Sequence, residues 1–377
     1  MKISIVQGAF LPVPALRGGA IEKAFHSLAR EFVKAGHTVN YLSRQCDGLV
    51  ADEAEMQGLQ HTRIKGYDAP ASSLVLKLFD LFYSMRVRLR LPRADVLVTH
   101  TFWLPMLARS PERHGQVYVH VGRAPKGQMR FYKHVSRLQT VSSPIVDAIK
   151  GELPGSIHRK IARIPYPLDP AFLKDVDCDA GRQKRILYAG RIHPEKGIGV
   201  LLDAFLGIQE ERREGWSLEI VGPWEAKHGG GGGKYLEELK AKVGGSHGVS
   251  FREPIFSQEE LANLYREASV FVYPSLAEKG ETFGLAALEA MARGCLTLVS
   301  DLECFRDFIV PGENGFSFCH RQGSPENALG KELANLLELV GEGLDVEVRK
   351  AARKTAEGYS VGEVAKVFLD DFKRILS

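Results

Sequence analysis

The sequence predicts an α/β protein made of two Rossmann-like halves. Apolar runs of strand length alternate with segments of helical period along the 377 residues. The strand–loop–helix pattern restarts at RILYAGRIHPEKGIGVLLDAF, after a proline-rich and polar stretch. The length also suits two domains of ordinary size. A hydrophobic share of 44% with 25% charged residues describes a soluble globular chain rather than a disordered one. No apolar run approaches the roughly 20 residues needed to span a bilayer.

The first half opens on ISIVQGAF, read as a strand. LPVPALRGG follows, and Gly18-Gly19 precedes AIEKAFHSLAREFVKAGH, whose apolar residues recur at helical spacing. TVNYLSR is the second strand. The first turn lacks GxGxxG, so the dinucleotide fingerprint of a dehydrogenase is absent. Residues 73–93, SLVLKLFDLFYSMRVRLRLPR, carry four arginines among Leu, Phe and Tyr. The favoured reading is a core-facing helix with its arginines snorkelling outward. An amphipathic surface for a membrane or a lipid-linked acceptor is the alternative. ADVLVTHTFW and QVYVHVGRAP end strands near His100 and His120. Strand C-terminal ends line the ligand crevice of open α/β sheets, which makes both histidines candidates, His120 ahead of His100. LQTVSSPIVDAIKG then supplies a strand, a serine N-cap and a helix.

Residues 166–184 are the expected linker. They contain Asp177-Cys178-Asp179, formally a metal-binding DxD. It sits in a hydrophilic connection rather than at the end of an apolar strand, so a metal role is not favoured. In the second half, Arg191 follows the first strand and Lys196-Gly197 opens a helix. Two cations and helix N–H groups around one loop suit a diphosphate. SLEIVGPW is the next strand, followed by five glycines at 229–233. Glycine has the highest ordering cost, so this run reads as a mobile loop, either a lid or a tolerated insertion. VSFREPIFSQEELANLYREASVFVYPS reads as strand, loop, helix and strand.

SLAEKGETFGLAALEAMARG, residues 275–294, reads as a glycine loop running into a helix, with Glu281 and Glu289 eight positions apart. Eight helical residues rise about 12 Å, too far for the roughly 5–9.5 Å carboxylate pair of a glycoside hydrolase. Two acids so spaced would touch two parts of one elongated ligand, as a nucleotide-sugar is.

The run Glu281-Thr-Phe-Gly-Leu-Ala-Ala-Leu-Glu289-Ala-Met-Ala resembles the signature of family 4 retaining glycosyltransferases of GT-B architecture. GR followed five residues later by KG, the Gly-Gly turn and the LQTVSSP segment extend the resemblance over nearly the whole chain. It implies two Rossmann-like domains facing a central cleft: an acceptor-side domain at 1–168, a nucleotide-sugar-binding domain at 184–355, and a C-terminal helix at 356–377 crossing back to the first. It implies a catalytic set of His120, Arg191, Lys196 and Glu281. The implied donor contacts are Gly18, Gly19, Arg191, Lys196, Ile255, Glu281, Thr282, Phe283, Gly284, Leu285 and Glu289. No metal and no cofactor are expected, the nucleotide-sugar being a substrate. Where the family often has a glycine after the short strand VSF, this chain has Arg252, Glu253 and Pro254, which leaves the base open. A nucleotide-sugar epimerase of the same architecture and a non-catalytic nucleotide-sugar binder are the alternatives.

Charge is unevenly spread. Residues 1–150 hold 21 Lys and Arg against 11 Asp and Glu, a net +10, leaving −6 for the remainder of a chain that totals +4. A basic first half suits peripheral contact with an anionic membrane or an anionic acceptor. Nucleic acid is not an expected partner. The five cysteines form no CxxC pair, which fits a reducing cytoplasm. A cytoplasmic protein, peripheral on the inner face of the membrane, is the expectation.

Overall fold

The computed structural model describes residues 1–16, 19–174, 181–246 and 248–377. Gly18 and the Asp177-Cys178-Asp179 triplet lie outside the described residues. The chain divides into two compact units, one of residues 1–167 with 361–377 and one of residues 168–360.

The first unit holds an eight-stranded sheet. Its strands are β1 (Lys2–Val6), β2 (Thr38–Arg44), β3 (Asp52–Met56), β4 (Leu59–Ile64), β5 (Val96–Thr99), β6 (Gln116–Val121), β7 (Arg137–Thr140) and β8 (Ile161–Arg163). They run in the order β3-β4-β2-β1-β5-β6-β7-β8. Every pairing is parallel except the edge hairpin β3–β4. Strands added outward in both directions from the β1/β5 neighbours make a topological switch point there, where such sheets bind ligands. The helix Val361–Leu376 completes this unit. It buries Val361, Val364, Ala365, Phe368, Leu369 and Phe372, an apolar stripe at helical spacing. Phe368 packs against Phe25 and Phe372 against Tyr118. Its buried Asp371 takes a two-pronged hold from Arg137, at 2.6 and 2.9 Å, and accepts from the Tyr118 hydroxyl at 2.9 Å.

The second unit holds β9 (Gln183–Ala189), β10 (Ser217–Val221), β11 (Val249–Arg252), β12 (Ala268–Tyr273), β13 (Leu296–Ser300) and β14 (Phe316–Phe318). Their order is β11-β10-β9-β12-β13-β14, parallel throughout. Every residue of β12 and β13 is buried. That is the mark of central parallel strands covered on both faces, and it explains their largely apolar sequence, broken only by Ser269, Thr297 and Ser300. The switch point here lies between β9 and β12.

The segment 73–93 forms the helix Ser73–Arg90 and sets Tyr83 and Val87 in the core, as read, but most of its apolar residues lie outward. It buries Asp80, Tyr83, Ser84 and Val87 and exposes Leu74, Leu78, Phe82, Met85 and Leu89. These five recur at intervals of four and three residues, so they form one outward stripe. The inward face turns on Asp80, which accepts the backbone N–H groups of Phe102 and Trp103 at 3.0 and 3.1 Å. The reading of the glycine run is corrected: it is not a free loop. Gly231 N–H donates to the Ile192 carbonyl and Gly232 N–H to that of Trp224, both at 2.8 Å. A Cβ at Gly230 would lie 2.2 Å from the Trp224 backbone. The run is packed against its neighbours and leads into the helix Gly232–Val243.

Candidate active site

At the C-terminal ends of β9 and β12, two loops are tied into one. After β9 the chain passes Gly190-Arg191, makes a short turn over Pro194–Lys196, and enters the helix Ile198–Leu206. The His193 side chain caps that turn by accepting from the Glu195 N–H. Gly197 sits between turn and helix at φ 70°, and a Cβ there would stand 2.0 Å from the Pro274 carbonyl oxygen. Only glycine lets this loop approach the end of β12 so closely. The Leu276 N–H completes the junction by donating to the Glu195 carbonyl at 2.8 Å.

Lys196 is buried at this junction, and its Nζ donates to Glu281 Oε2 at 2.7 Å. The lysine and glutamate side chains are 5% and 10% exposed, so the pair is shielded from water. Lys196 Nζ also lies 5.6 Å from the centroid of the Tyr273 ring. Tyr188 stacks on Tyr273 at 5.9 Å, forming an aromatic floor. Burial pushes both phenols well up, so they remain neutral donors. Arg191 is more open. It donates to the Gly229 carbonyl at 2.7 Å and pairs with Glu195 at 3.0 Å, which links it to the glycine run.

The 275–284 loop then turns into the helix Leu285–Ala292 at Gly284, whose φ is 87°. A Cβ at Gly284 would fall 2.2 Å from the Phe305 ring. The structure therefore brings Arg191, Lys196, Glu281, Gly284 and Leu285 to one strand-end region, with the starts of two helices offering N–H groups and partial positive charge. Thr282 is half-buried beside them. Phe283 instead turns inward, buried against Phe308 and Tyr359, which leaves its backbone as the part able to meet a ligand. Glu289 lies farther along the helix, half-buried, and accepts from the Tyr265 hydroxyl at 3.3 Å. Ile255, also half-buried, follows the edge strand β11, two strands from β9.

Sequence reasoning missed the tyrosine floor, because buried tyrosines on apolar strands look like ordinary core. It also missed His320, on the far side of the loop. His320 Nε2 meets Glu278 at 2.8 Å, and its Nδ1 meets Asp301. Arg321 grips Glu278 with two nitrogens at 2.8 and 2.9 Å. These contacts hold the 275–284 loop from behind.

The first unit has its own polar cluster near the β1/β5 switch point. His120 is buried, with Nδ1 2.6 Å from Gln139 Oε1 and Nε2 3.0 Å from the Tyr166 hydroxyl. Burial drives it down to about 4, so the ring is neutral near pH 7. His100 packs edge-on to Phe25, and burial lowers it well below the usual histidine range. Both its ring nitrogens are buried without a hydrogen-bond partner. Gly19, at φ 111°, starts the helix Ala20–Lys34; a Cβ there would stand 2.2 Å from a Glu22 carboxylate oxygen. Glu22, which no motif singles out, is buried, and burial raises its carboxyl above the usual range.

Comparison with known proteins bears on both units. Residues 178–355 match the family model described as glycosyl transferases group 1. The D-inositol 3-phosphate glycosyltransferase of Streptomyces avermitilis is 33% identical over 186 residues, 49% of this chain and 38% of that one. The lipopolysaccharide 1,2-N-acetylglucosaminetransferase of Salmonella typhimurium is 31% identical over 154 residues, 40% of this chain and 39% of its own length. The matched stretches thus span less than half of these relatives. Among solved structures, sucrose-phosphate synthase from Thermosynechococcus elongatus covers 100% of this chain and 99% of its own at a TM-score of 0.75 and 18% identity. At that identity the likeness shows the fold alone, and the fold is GT-B.

Proposed function

We propose, from the premise that residues 178–355 belong to the glycosyl transferases group 1 family, that the chain is a retaining glycosyltransferase. It moves a sugar from a nucleoside-diphosphate donor to a hydroxyl of a glycan, lipid-linked or other glycoconjugate acceptor. The observation that carries this reading is the buried Lys196–Glu281 pair beside Arg191 and two helix starts, at the switch point of a parallel sheet.

In this reading the bond between the anomeric carbon and the diphosphate breaks while the acceptor oxygen bonds to the same face. The acceptor's proton passes to the departing diphosphate oxygen. Lys196, Arg191 and the backbone N–H groups around Gly284 and Leu285 stabilise the leaving charge without metal or cofactor. Glu281 holds sugar hydroxyls and orients the ring; Glu289 takes the ribose. Ile255 is assigned to the base, Thr282 and the Phe283 backbone to the donor. The neutral His120 is assigned to the sugar and Gly19 to the phosphate side, as the resemblance implies.

The acceptor surface is assigned to the first unit. Its exposed stripe of Leu74, Leu78, Phe82, Met85 and Leu89, with Arg86, Arg88 and Arg90 on the same helix, supports peripheral docking on an anionic cytoplasmic membrane face. Among the described residues no helix is long and apolar enough to cross a membrane.

The test is a thermal-shift panel of UDP, GDP, ADP, TDP, CMP and NAD with EDTA present. A ligand at 100-fold above its Kd stabilises by about 2.7 kcal/mol. One nucleoside diphosphate should shift wild type and not Glu289→Ala, and nucleotide release from the matching donor should require an acceptor. A shift with NAD alone, or only after metal is restored, would overturn the assignment.

A further inference from the structure

On the outer edge of the first sheet, three side chains converge that the donor chemistry does not use. His26 stands on the helix Ala20–Lys34, Glu55 on β3 and His61 on β4. Glu55 Oε2 lies 2.6 Å from His26 Nε2 and 2.7 Å from His61 Nε2. One ligand atom from each of the three residues lies within 4.8 Å of the other two. The other carboxylate oxygen, Oε1, faces Arg30 Nε at 3.5 Å, which fixes which oxygen points at the imidazoles. His61 is wholly buried and stacks on Tyr41 at 5.5 Å. Its Nδ1 is buried with no hydrogen-bond partner. With no ion bound, Nε2 carries the proton that it donates to the Glu55 carboxylate; binding an ion would shift that proton to Nδ1 and give the Nε2 lone pair to the ion.

We propose that His26, Glu55 and His61 form a site for a zinc-class divalent ion that clips the helix Ala20–Lys34 to the β3–β4 edge hairpin. Two imidazole nitrogens and one carboxylate oxygen are a borderline donor set, suited to zinc and its neighbours rather than to magnesium or calcium, which prefer oxygen cages. With ligand bonds of about 2.0–2.2 Å, donor atoms in a tetrahedral site stand about 3.3 Å apart. Each nitrogen–oxygen contact then has to open by roughly 0.7 Å. The partly exposed Glu55 can make that movement, and Arg30, 55% exposed, can turn toward solvent. Three protein ligands leave the fourth position to water. The ion joins an edge hairpin to the helix that begins at Gly19, so binding stiffens that helix from its middle. No spacing motif announces the site, because its ligands come from three separate elements.

The test uses the full chain, stripped with chelator and titrated by calorimetry with ZnCl2 and, separately, MgCl2. His26→Gln and Glu55→Gln are the variants, since both residues are partly exposed and buried His61 is left intact; circular dichroism confirms their folding. Wild type should bind one zinc per chain in an event weakened at least tenfold in each variant, with no magnesium event. Cobalt(II) should give visible absorption bands of a low-coordinate site in wild type and not in either variant. Zinc uptake equal in all three proteins, or none in wild type, would overturn the proposal.

Discussion

Replacing Lys196 by methionine tests the donor-site reasoning most directly. Methionine keeps much of the stem and removes the charge from a pair whose side chains are only 5% and 10% exposed and 2.7 Å apart. At an effective dielectric of about 20, two charges at that separation attract by about 6 kcal/mol before desolvation is counted. Removing one partner leaves the other buried and uncompensated, at a cost of about 3–5 kcal/mol. For a unit of this size 1 kcal/mol moves Tm by about 2–4 °C, so Lys196→Met should lower the second unit's Tm by roughly 6–20 °C. Lys196→Met/Glu281→Gln should recover much of the loss, with a coupling of at least about 1.5 kcal/mol in the double-mutant cycle. The decisive comparison adds the nucleoside diphosphate. In Glu281→Gln the orphaned lysine regains an anion when the diphosphate binds, so the ligand-induced shift should equal or exceed wild type. In Lys196→Met it should nearly vanish, and kcat should fall about 10²–10³-fold. Equal ligand shifts in the two single variants, or an unchanged kcat in Lys196→Met, would refute the assignment of Lys196 to the leaving diphosphate.

Gly284→Ala places a Cβ 2.2 Å from the Phe305 ring at φ 87°; strained backbone alone costs about 1–3 kcal/mol, and Tm and nucleotide response should fall together. For His120 the folded value of about 4 lies below the ordinary 6.5, so the unfolded chain binds more protons between those values. Stability should therefore decline as pH falls from 6.5 to 4, by up to about 3 kcal/mol; His120→Gln should flatten that slope in pH-dependent melts. Serine at Leu78, Phe82 and Met85 together should change stability little, each site being exposed, while co-sedimentation with anionic vesicles drops. Unaltered sedimentation would remove the stripe from the docking surface.

Much of the second unit was legible because its central strands are buried on both faces. VFVY and LTLVS could be read from composition, and the glycines at 197 and 284 mark turns that only glycine can make. The Lys196–Glu281 contact was not legible as a pair, since 85 residues separate its members and only the parallel neighbours β9 and β12 bring their loops together. The helix Ser73–Arg90 shows a different blindness. Periodicity reveals that an apolar stripe exists, not which face the protein buries. Here the inward face combines Tyr83 and Val87 in the core with a polar residue, Asp80, serving backbone N–H groups at 102 and 103. Composition also misjudged 229–233, where close contacts with Trp224, Pro194 and Tyr235 require small residues rather than slack ones.

The helix Val361–Leu376 has a consequence for how the chain matures on the ribosome. The first unit is written at both ends of the chain, whereas residues 168–360 form the second without interruption. At translation rates of about 5–20 residues per second, residues 168–360 take roughly 10–40 s to emerge. Throughout that interval Arg137 and Tyr118 lack Asp371, and Phe25 and Phe32 lack Phe368 and Phe372. The half made first is thus finished last. Until then its aromatic face waits uncovered for the helix Val361–Leu376.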